Sequence, residues 1–550
     1  MYNIKLLLYS FAIILILLSS NYSSVYFSYG AYSKALPSPD GPTINDDSLT
    51  VEKVTSGLKF PTSMTFVGNN DMLVTEKNTG RVIRVLDGQV QDNPLVDLPV
   101  ATKIERGLLG IVASKHLDGK TFVFLSYTES GNNEDGSDVS NNIEPLGNRL
   151  YRYQYVDGQL IDPVLLLDLT AIPNNVNRTD HNGGKVTIGP DNNVYMIIGE
   201  VGGHRTQAQN IENGPAPNGL GGVLRITQDG GLVDDEPIFG TDLPLGVYYA
   251  MGIRNSFGID FDPLTGNLWD TENGPTAGDE INLVFPGFNS GWSLIQGFSG
   301  DDLLGNGATP SDLIIFGNGK YAEPKFTWHI PIGPTALKFL NSDKLGKEYE
   351  NNMFVGDINN GNLYRFTLNE ARNDIDINNT YVGHASALVD KKVDNTVESI
   401  PITFGQGFGG ITDIQVGPDG YLYVLSFTGD LYKILPTLQS SIPKAQSPSS
   451  QSSVVPEGSV LVTINSISGD NSYAPNPIII NSGETITWYN ADTVSHTATS
   501  GSDSDPNEGQ LFDSDAILSN QAFTLKFDNK GTFDYYCIYH PSMVGEIIVK

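Results

Sequence analysis

A single cysteine stands in 550 residues. No disulfide can close within such a chain, and neither an all-thiolate zinc site nor an iron–sulfur cluster can be built. Cys537 is therefore an inert buried thiol or a special one. Basic residues are also few: 32 lysines and arginines face 63 acids, a net charge of −31. A surface that acidic repels phosphate backbones and anionic headgroups, which argues against nucleic acid as a partner. Helix signals are nearly absent, and no strand alternates with an amphipathic helix, which disfavours a doubly wound α/β fold. Beyond the N-terminus no apolar run approaches the roughly 20 residues of a spanning helix. What is present is an apolar share of 39% and 59 glycines, enough for a large core.

The N-terminus runs from Met1 to Lys5, then through an apolar-rich stretch from Leu6 to Leu18, then through a Ser/Tyr-rich segment ending near Ala31. This order of charge, apolar run and small residues predicts a secretory signal over 1–31, either cleaved or kept as an anchor through Ser20. The remainder is then expected outside the cytoplasm, secreted or anchored to the outer face of the cytoplasmic membrane. Sequons at Asn21, Asn177 and Asn378 are compatible with export.

Residues 436–457 carry seven serines, four prolines and no aromatic side chain, a composition that cannot bury enough surface to fold. They predict a linker spanning about 25 to 30 Å as a flexible coil. A shorter linker is expected over 32–49, which leaves a large unit at 50–435 and a small one at 458–550. In the large unit, turns of Gly, Asp, Asn or Pro are followed by strands with period-2 alternation. The instances begin at Phe66, Lys120, Gly189, Asp262, Asn352 and Gly417, about 70 residues apart on average. Six such repeats predict a six-bladed β-propeller, with an irregular β-rich domain as the plainer alternative. In the small unit, VLVTINSIS, PIIINSGETITWYN, AFTLKF, GTFDYYC and GEIIVK read as the strands of a β-sandwich. The fold class expected is all-β.

YYCIYHPSMVG spaces Cys537, His540 and Met543 as C-x2-H-x2-M, and His496 stands in SHTATSG some forty residues earlier. A thiolate, two imidazoles and a weak axial thioether are the ligand set of a blue copper electron-transfer site. The soft thiolate suits copper, the imidazoles bind both oxidation states, and the thioether adjusts the potential. A free thiol is mostly protonated at neutral pH, so coordination is what would hold Cys537 as thiolate. Taken singly, each residue also reads as ordinary core.

At these residues the small unit resembles the cupredoxin family, and CIYHPSM is similar to the ligand loop of amicyanin. The resemblance implies a Greek-key sandwich with one type 1 copper on His496, Cys537, His540 and Met543. Seven histidines in all leave five beyond this set, too few for the trinuclear cluster of a laccase-like multicopper oxidase.

Three segments of the large unit combine Gly-rich turns with polar side chains: TDHNGGKVTIGPDNNVYMIIGEVGG, YAMGIRNSFGIDFDPLTGNLWDTENGPTAGDEINL and FPGFNSGWSLIQG. With GLKFPTSMTFVGNNDMLVTEKNTG, ERGLLGIVAS and GGITDIQVGPDGYLYVLS, they resemble the soluble quinoprotein glucose and sorbosone dehydrogenase family, a six-bladed propeller. The resemblance implies pyrroloquinoline quinone (PQQ) and calcium as cofactors, and a sugar or alcohol as substrate. It makes His181 the base that removes the hydroxyl proton, a task suited to neutral imidazole. Glu200 falls where the family has an acidic partner, and Arg254 and Asn255 match residues that face the quinone oxygens. Gly274 and Pro275 match the backbone carbonyls that hold calcium.

The chain departs from the family where basic residues bind the PQQ carboxylates: Asn359, Gly410 and Thr412 stand there. Plainer roles exist too, with His181 capping a blade through a backbone carbonyl and Arg254 closing a surface ion pair. Two readings follow. In the first, an exported dehydrogenase passes electrons to its tethered copper domain, and from there to a redox partner protein or a membrane electron-transport chain. In the second, copper electron transfer is the only redox activity and the propeller is a binding or scaffold module.

Overall fold

The computed structural model describes residues 37–38, 41–116, 118–172, 179–202, 208–233, 238–377, 388, 390–437, 459–464, 472–491, 496–502, 509, 511–514, 517, 522–537 and 540–550, with backbone alone at 397 and 540–542. The signal segment, nearly all of the 436–457 linker, the three sequons and the His540 side chain lie outside the described residues. The chain divides into two compact units, Met1–Leu438 and Gln439–Lys550. It is 45% strand and 4% helix. Among the described residues no helix is long and apolar enough to cross a membrane.

The first unit is a ring of six sheets, and each predicted repeat contributes to one of them. Blade 1 is built on Pro61–Gly68, Asp71–Glu76 and Arg81–Leu86; blade 2 on Leu108–Lys115, Thr121–Glu129, Gly147–Val156 and Gln159–Leu169. Blade 3 uses Val186–Ile188, Val194–Ile198, Gly222–Ile226 and Tyr248–Met251; blade 4 uses Gly258–Phe261, Leu268–Glu272, Asp279–Val284 and Phe326–Trp328. Blade 5 holds Pro334–Phe339, Met353–Asp357, Leu363–Phe366 and Thr403–Gln406; blade 6 holds Ile411–Val416, Leu422–Ser426 and Leu431–Pro436.

The repeat has a visible cause. In blade 3 Asp191 turns the chain by accepting from the Asn193 amide, and takes the Tyr195 hydroxyl four residues on at 2.8 Å. Blade 6 repeats the device with Asp419, the Tyr421 amide and the Tyr423 hydroxyl at 2.9 Å. The alternating apolar side chains then fill the space between neighbouring blades, as where Phe124 and Leu150 meet Val194 and Leu224.

The sequence reading needs one adjustment. Part of the stretch read as a linker over 32–49 is paired: Thr43–Ile44 adds to the blade 5 strand Thr403–Gln406, and Leu49–Thr55 completes blade 6 against Leu431–Pro436. A two-residue strand has no periodicity to detect, and its partner lies some 360 positions away in sequence. The pairing of Leu49–Thr55 with the last blade closes the ring with strands from both ends of the unit.

The second unit packs two four-stranded sheets. One holds Tyr473–Ala474, Val460–Ile464, Glu484–Asn490 and Ala522–Phe527; the other holds Ile478–Ile480, His540–Val549, Gly531–Cys537 and Thr499–Ser500. Trp488, fully buried, sits between them against Phe512, Phe527 and Tyr535.

Candidate functional site

Every blade contributes to one cavity of about 360 Å³, inside the range of about 300 to 1,000 Å³ common to ligand pockets. Thr62, Leu109, Lys185, Asp279, Thr335 and Thr412 line it from blades 1 to 6 in turn. A cavity with walls from all six sheets lies at the centre of the ring.

His181 enters it from the turn before blade 3 with a φ of 63°, a left-handed conformation uncommon outside glycine and concentrated at functional sites. Neighbouring backbone fixes that turn. Val201 N–H donates to the His181 carbonyl at 3.2 Å, and Glu200 N–H to the Arg254 carbonyl at 3.0 Å. Gly199 makes the approach possible, since a Cβ there would stand 2.3 Å from the His181 carbonyl oxygen. The outcome is a buried pair, with His181 Nδ1 at 2.7 Å from Glu200 Oε1. The partner of His181 is thus a carboxylate rather than a backbone carbonyl. Nε2 remains, with Asp180 at 3.8 Å.

Arg254 lies between the blade 3 strand Tyr248–Met251 and the first blade 4 strand, Gly258–Phe261, and among the described residues it closes no ion pair. Its Nη1 donates to the carbonyls of Asn273 at 2.8 Å and Gly274 at 3.1 Å, and its guanidinium lies over Trp292. Burial lowers its pKa, although Glu105, Glu200, Glu272 and Asp279 all act to raise it. Among the described residues, Arg254 Nε, Asn255 Oδ1 and Asn273 Oδ1 are buried without a hydrogen-bond partner, and all three residues line the cavity. Each unmet group of this kind costs about 1 to 3 kcal/mol. The cavity is therefore suited to a polar ligand that would satisfy them.

Gly274 and Pro275 lie on a turn pinned by Asp279, which accepts the amides of Gly274, Ile332 and Gly333, each at 2.8 Å. A Cβ on Gly274 would stand 2.1 Å from the Ala277 carbonyl oxygen, so only glycine fits. The two backbone carbonyls and Asn273 Oδ1 are hard oxygens of the type calcium takes. The Gly274 carbonyl already accepts from Arg254.

Three buried carboxyls support these walls at a cost that depends on pH. Burial pushes Asp279 up to about 6, Glu272 up to about 7 and Asp357 up to about 7, against the hydrogen bonds each accepts. A carboxyl raised above its unfolded value of roughly 4 contributes fully below that pH, and its contribution is lost as pH rises through the folded value. The ligand-free propeller is therefore expected to melt several degrees higher at about pH 5.5 than at about pH 8. Calorimetry that found a lower melting temperature at the acid end would contradict this assignment.

Asn359 and Thr412 line the cavity as neutral side chains, whereas Gly410 is not among its lining residues and offers its carbonyl to the Phe427 amide. Sequence reasoning missed four charged residues that the fold brings to the same walls: Lys77, Glu105, Lys185 and Asp279. All four stand inside segments already singled out, TEKNTG, ERGLLG, DHNGGK and GDEINL. Glu105 accepts the Asn182 amide at 3.0 Å and the Asn255 side-chain amide at 3.2 Å. Burial raises its pKa, opposed by the nearby His181.

In the second unit Cys537 ends its strand, Met543 stands on the next, and His496 bridges to Ile517. All three side chains are buried. His496 Nδ1 is 3.8 Å from Cys537 Sγ. Metal–sulfur and metal–nitrogen bonds of roughly 2.3 and 2.05 Å, meeting at about 120°, put the two atoms about 3.8 Å apart, so the spacing fits two ligands of one ion. The Thr497 amide donates to Sγ at 3.3 Å, which favours the thiolate.

Comparison with known proteins bears on both units. Residues 58–433 match the family model described as glucose/sorbosone dehydrogenase, and residues 460–550 match that of copper-binding proteins of the plastocyanin/azurin family. Quinoprotein glucose dehydrogenase B of Acinetobacter calcoaceticus is 28% identical over 45% of this chain, which spans about half (53%) of that relative. Amicyanin-alpha of Methylorubrum extorquens is 32% identical over 13% of this chain and 58% of its own. A solved structure from Thermus thermophilus described as a glucose dehydrogenase aligns at 25% identity with a TM-score of 0.52, covering 70% of this chain and 100% of that one.

Proposed function

This chain belongs to the glucose/sorbosone dehydrogenase family, and from that membership we propose that its propeller oxidises a sugar hydroxyl with bound PQQ and calcium, the electrons leaving through the copper domain. The observation that carries this reading is the buried His181–Glu200 pair on the wall of the central cavity. Glu200 accepts from Nδ1, so the lone pair is on Nε2, where a substrate hydroxyl can deliver its proton. The imidazolium that forms is stabilised by Glu200, with Asp180 3.8 Å from Nε2. Arg254 holds fixed positive charge against the same space, where negative charge develops on the acceptor side. Leu109, Phe257 and Phe427 add apolar wall that excludes water.

The unmet atoms of Arg254, Asn255 and Asn273 and the oxygens of the Gly274–Pro275 turn are the residues that would hold the cofactor and its cation. PQQ, when bound, supplies the two-electron acceptor for the hydride of the C–H bond. Copper in the second unit supplies a one-electron acceptor, so each oxidised alcohol needs two copper reduction events. The predicted signal at 1–31 supports a location outside the cytoplasm, where a redox protein or membrane chain would take the electrons.

A tether such as 436–457 raises the mutual concentration of two domains into roughly the millimolar range. With PQQ, calcium and a panel of aldoses and simple alcohols, the blue band of copper-loaded protein is expected to fade at a rate independent of protein concentration. The fading should slow when the two domains are supplied as separate chains. Persistent colour with every substrate, and no PQQ binding by calorimetry, would leave the propeller as a binding module beside an electron-transfer domain.

A further inference from the structure

Asn359, Gly410 and Thr412 bring no charge, yet among the described residues two cations on the cavity wall, Arg254 and Lys77, have no carboxylate in contact with their side chains, and Arg254 already donates to the carbonyls of Asn273 and Gly274. Lys77 is 6% exposed and lines the cavity. Its ammonium donates to Asn78 Oδ1 at 3.1 Å and reaches the Thr102 carbonyl at 3.5 Å. Two neutral acceptors leave one of its three N–H donors unused. Among the described residues no acid comes within ion-pair distance of it. Other buried cations nearby are matched: Lys185 meets Asp413 at 2.5 Å, and Arg106 meets Asp138 at 3.1 Å. Burial pulls the Lys77 pKa down to about 8, with Glu105 and Asp138 acting from a distance to raise it. A buried charge without a partner destabilises the fold, and an anion in the cavity would relieve it.

The location is equally specific. Lys77 directly follows the strand Asp71–Glu76, and its amide donates to the Phe60 carbonyl at 3.1 Å. Pro61, the next residue, pairs with Glu76. The Thr412 hydroxyl donates to the Pro61 carbonyl at 2.9 Å. Lys77 and Thr412 thus bond to adjacent residues, Phe60 and Pro61, at the junction of blades 1 and 6, and both line the cavity. A charge missing from the blade 6 strand is present on the adjoining turn of blade 1.

We propose that Lys77 binds a carboxylate of the anionic quinone cofactor, supplying from blade 1 a charge that Thr412 does not supply from blade 6. This rests on the PQQ reading above. Lys185, held by Asp413, is not available for the same role.

The test is titration of PQQ, with calcium present, into the full chain and its variants, followed by calorimetry and by quenching of tryptophan fluorescence. Charge-assisted contacts of this type correspond to about a tenfold to hundredfold change in affinity. Lys77→Met and Lys77→Gln are both expected to weaken binding by that factor, the second keeping hydrogen bonds to Asn78 and Thr102. Lys77→Arg should retain most of the affinity, and Lys77→Met combined with Thr412→Arg should regain it. Unfolding temperatures report whether each variant folds. Wild-type affinity in folded Lys77→Met or Lys77→Gln overturns the assignment while leaving the PQQ reading intact. Failure of the wild-type chain to bind PQQ overturns that reading, and this one with it.

Discussion

Cys537→Ser is expected to abolish the intense absorption near the red end of the visible spectrum that is expected of the copper-loaded wild-type protein. The loss should be complete, because this chain has no other thiol and the Met543 thioether is too weak a donor to replace a thiolate charge-transfer band. A serine oxygen is a hard, poorly acidic donor, so copper affinity should fall with the colour. The propeller belongs to a separate compact unit, and its melting and its sugar-dependent reduction of an artificial acceptor should be unchanged. Absorption spectra and copper content of both proteins, loaded in parallel, decide the matter. Colour retained in Cys537→Ser, or absent from the wild type, would remove the blue copper assignment.

His181→Ala should lower sugar turnover by about 100-fold to 10,000-fold, the range expected for loss of a general base. The two carboxylates that line the cavity are already engaged: Glu105 accepts from Asn182 and Asn255, and Asp279 from three backbone amides. Glu200→Gln should lower turnover less, because the imidazole keeps a hydrogen-bond partner and loses only the charge that stabilises its protonated form. Both variants should bind PQQ and keep the copper spectrum, which separates a chemical defect from misfolding. Turnover in His181→Ala within a few-fold of wild type would place the base elsewhere.

The two kinds of site differ in how much of them can be read along the chain. C-x2-H-x2-M sits on one strand end and the start of the next, so three of the four expected copper ligands are local. The fourth, His496, lies close enough in sequence to be grouped with them. The His181–Glu200 pair was also within reach, because one turn-strand-turn unit of blade 3 holds both residues. Asn359, Gly410 and Thr412 show, position by position, only the charges that the chain lacks. Lys77 stands some 330 positions before Thr412 and lines the same cavity.

Sequence alone was enough for the all-β class and the six repeats, and for proposing a copper ligand set, because each rests on short-range pattern: turn residues, period-2 alternation and ligand spacing. Folding settled what those patterns leave open. Closing the ring sets blade 1 against blade 6, so that Thr412 meets Pro61 while Lys77 meets the preceding residue, Phe60. It turns the Arg254 side chain onto the carbonyls of Asn273 and Gly274 and gathers Glu105, Lys185 and Asp279 around one cavity. Electrostatic balance in a central pocket is a sum over side chains from every blade, and their separations in sequence carry no trace of their distances in space.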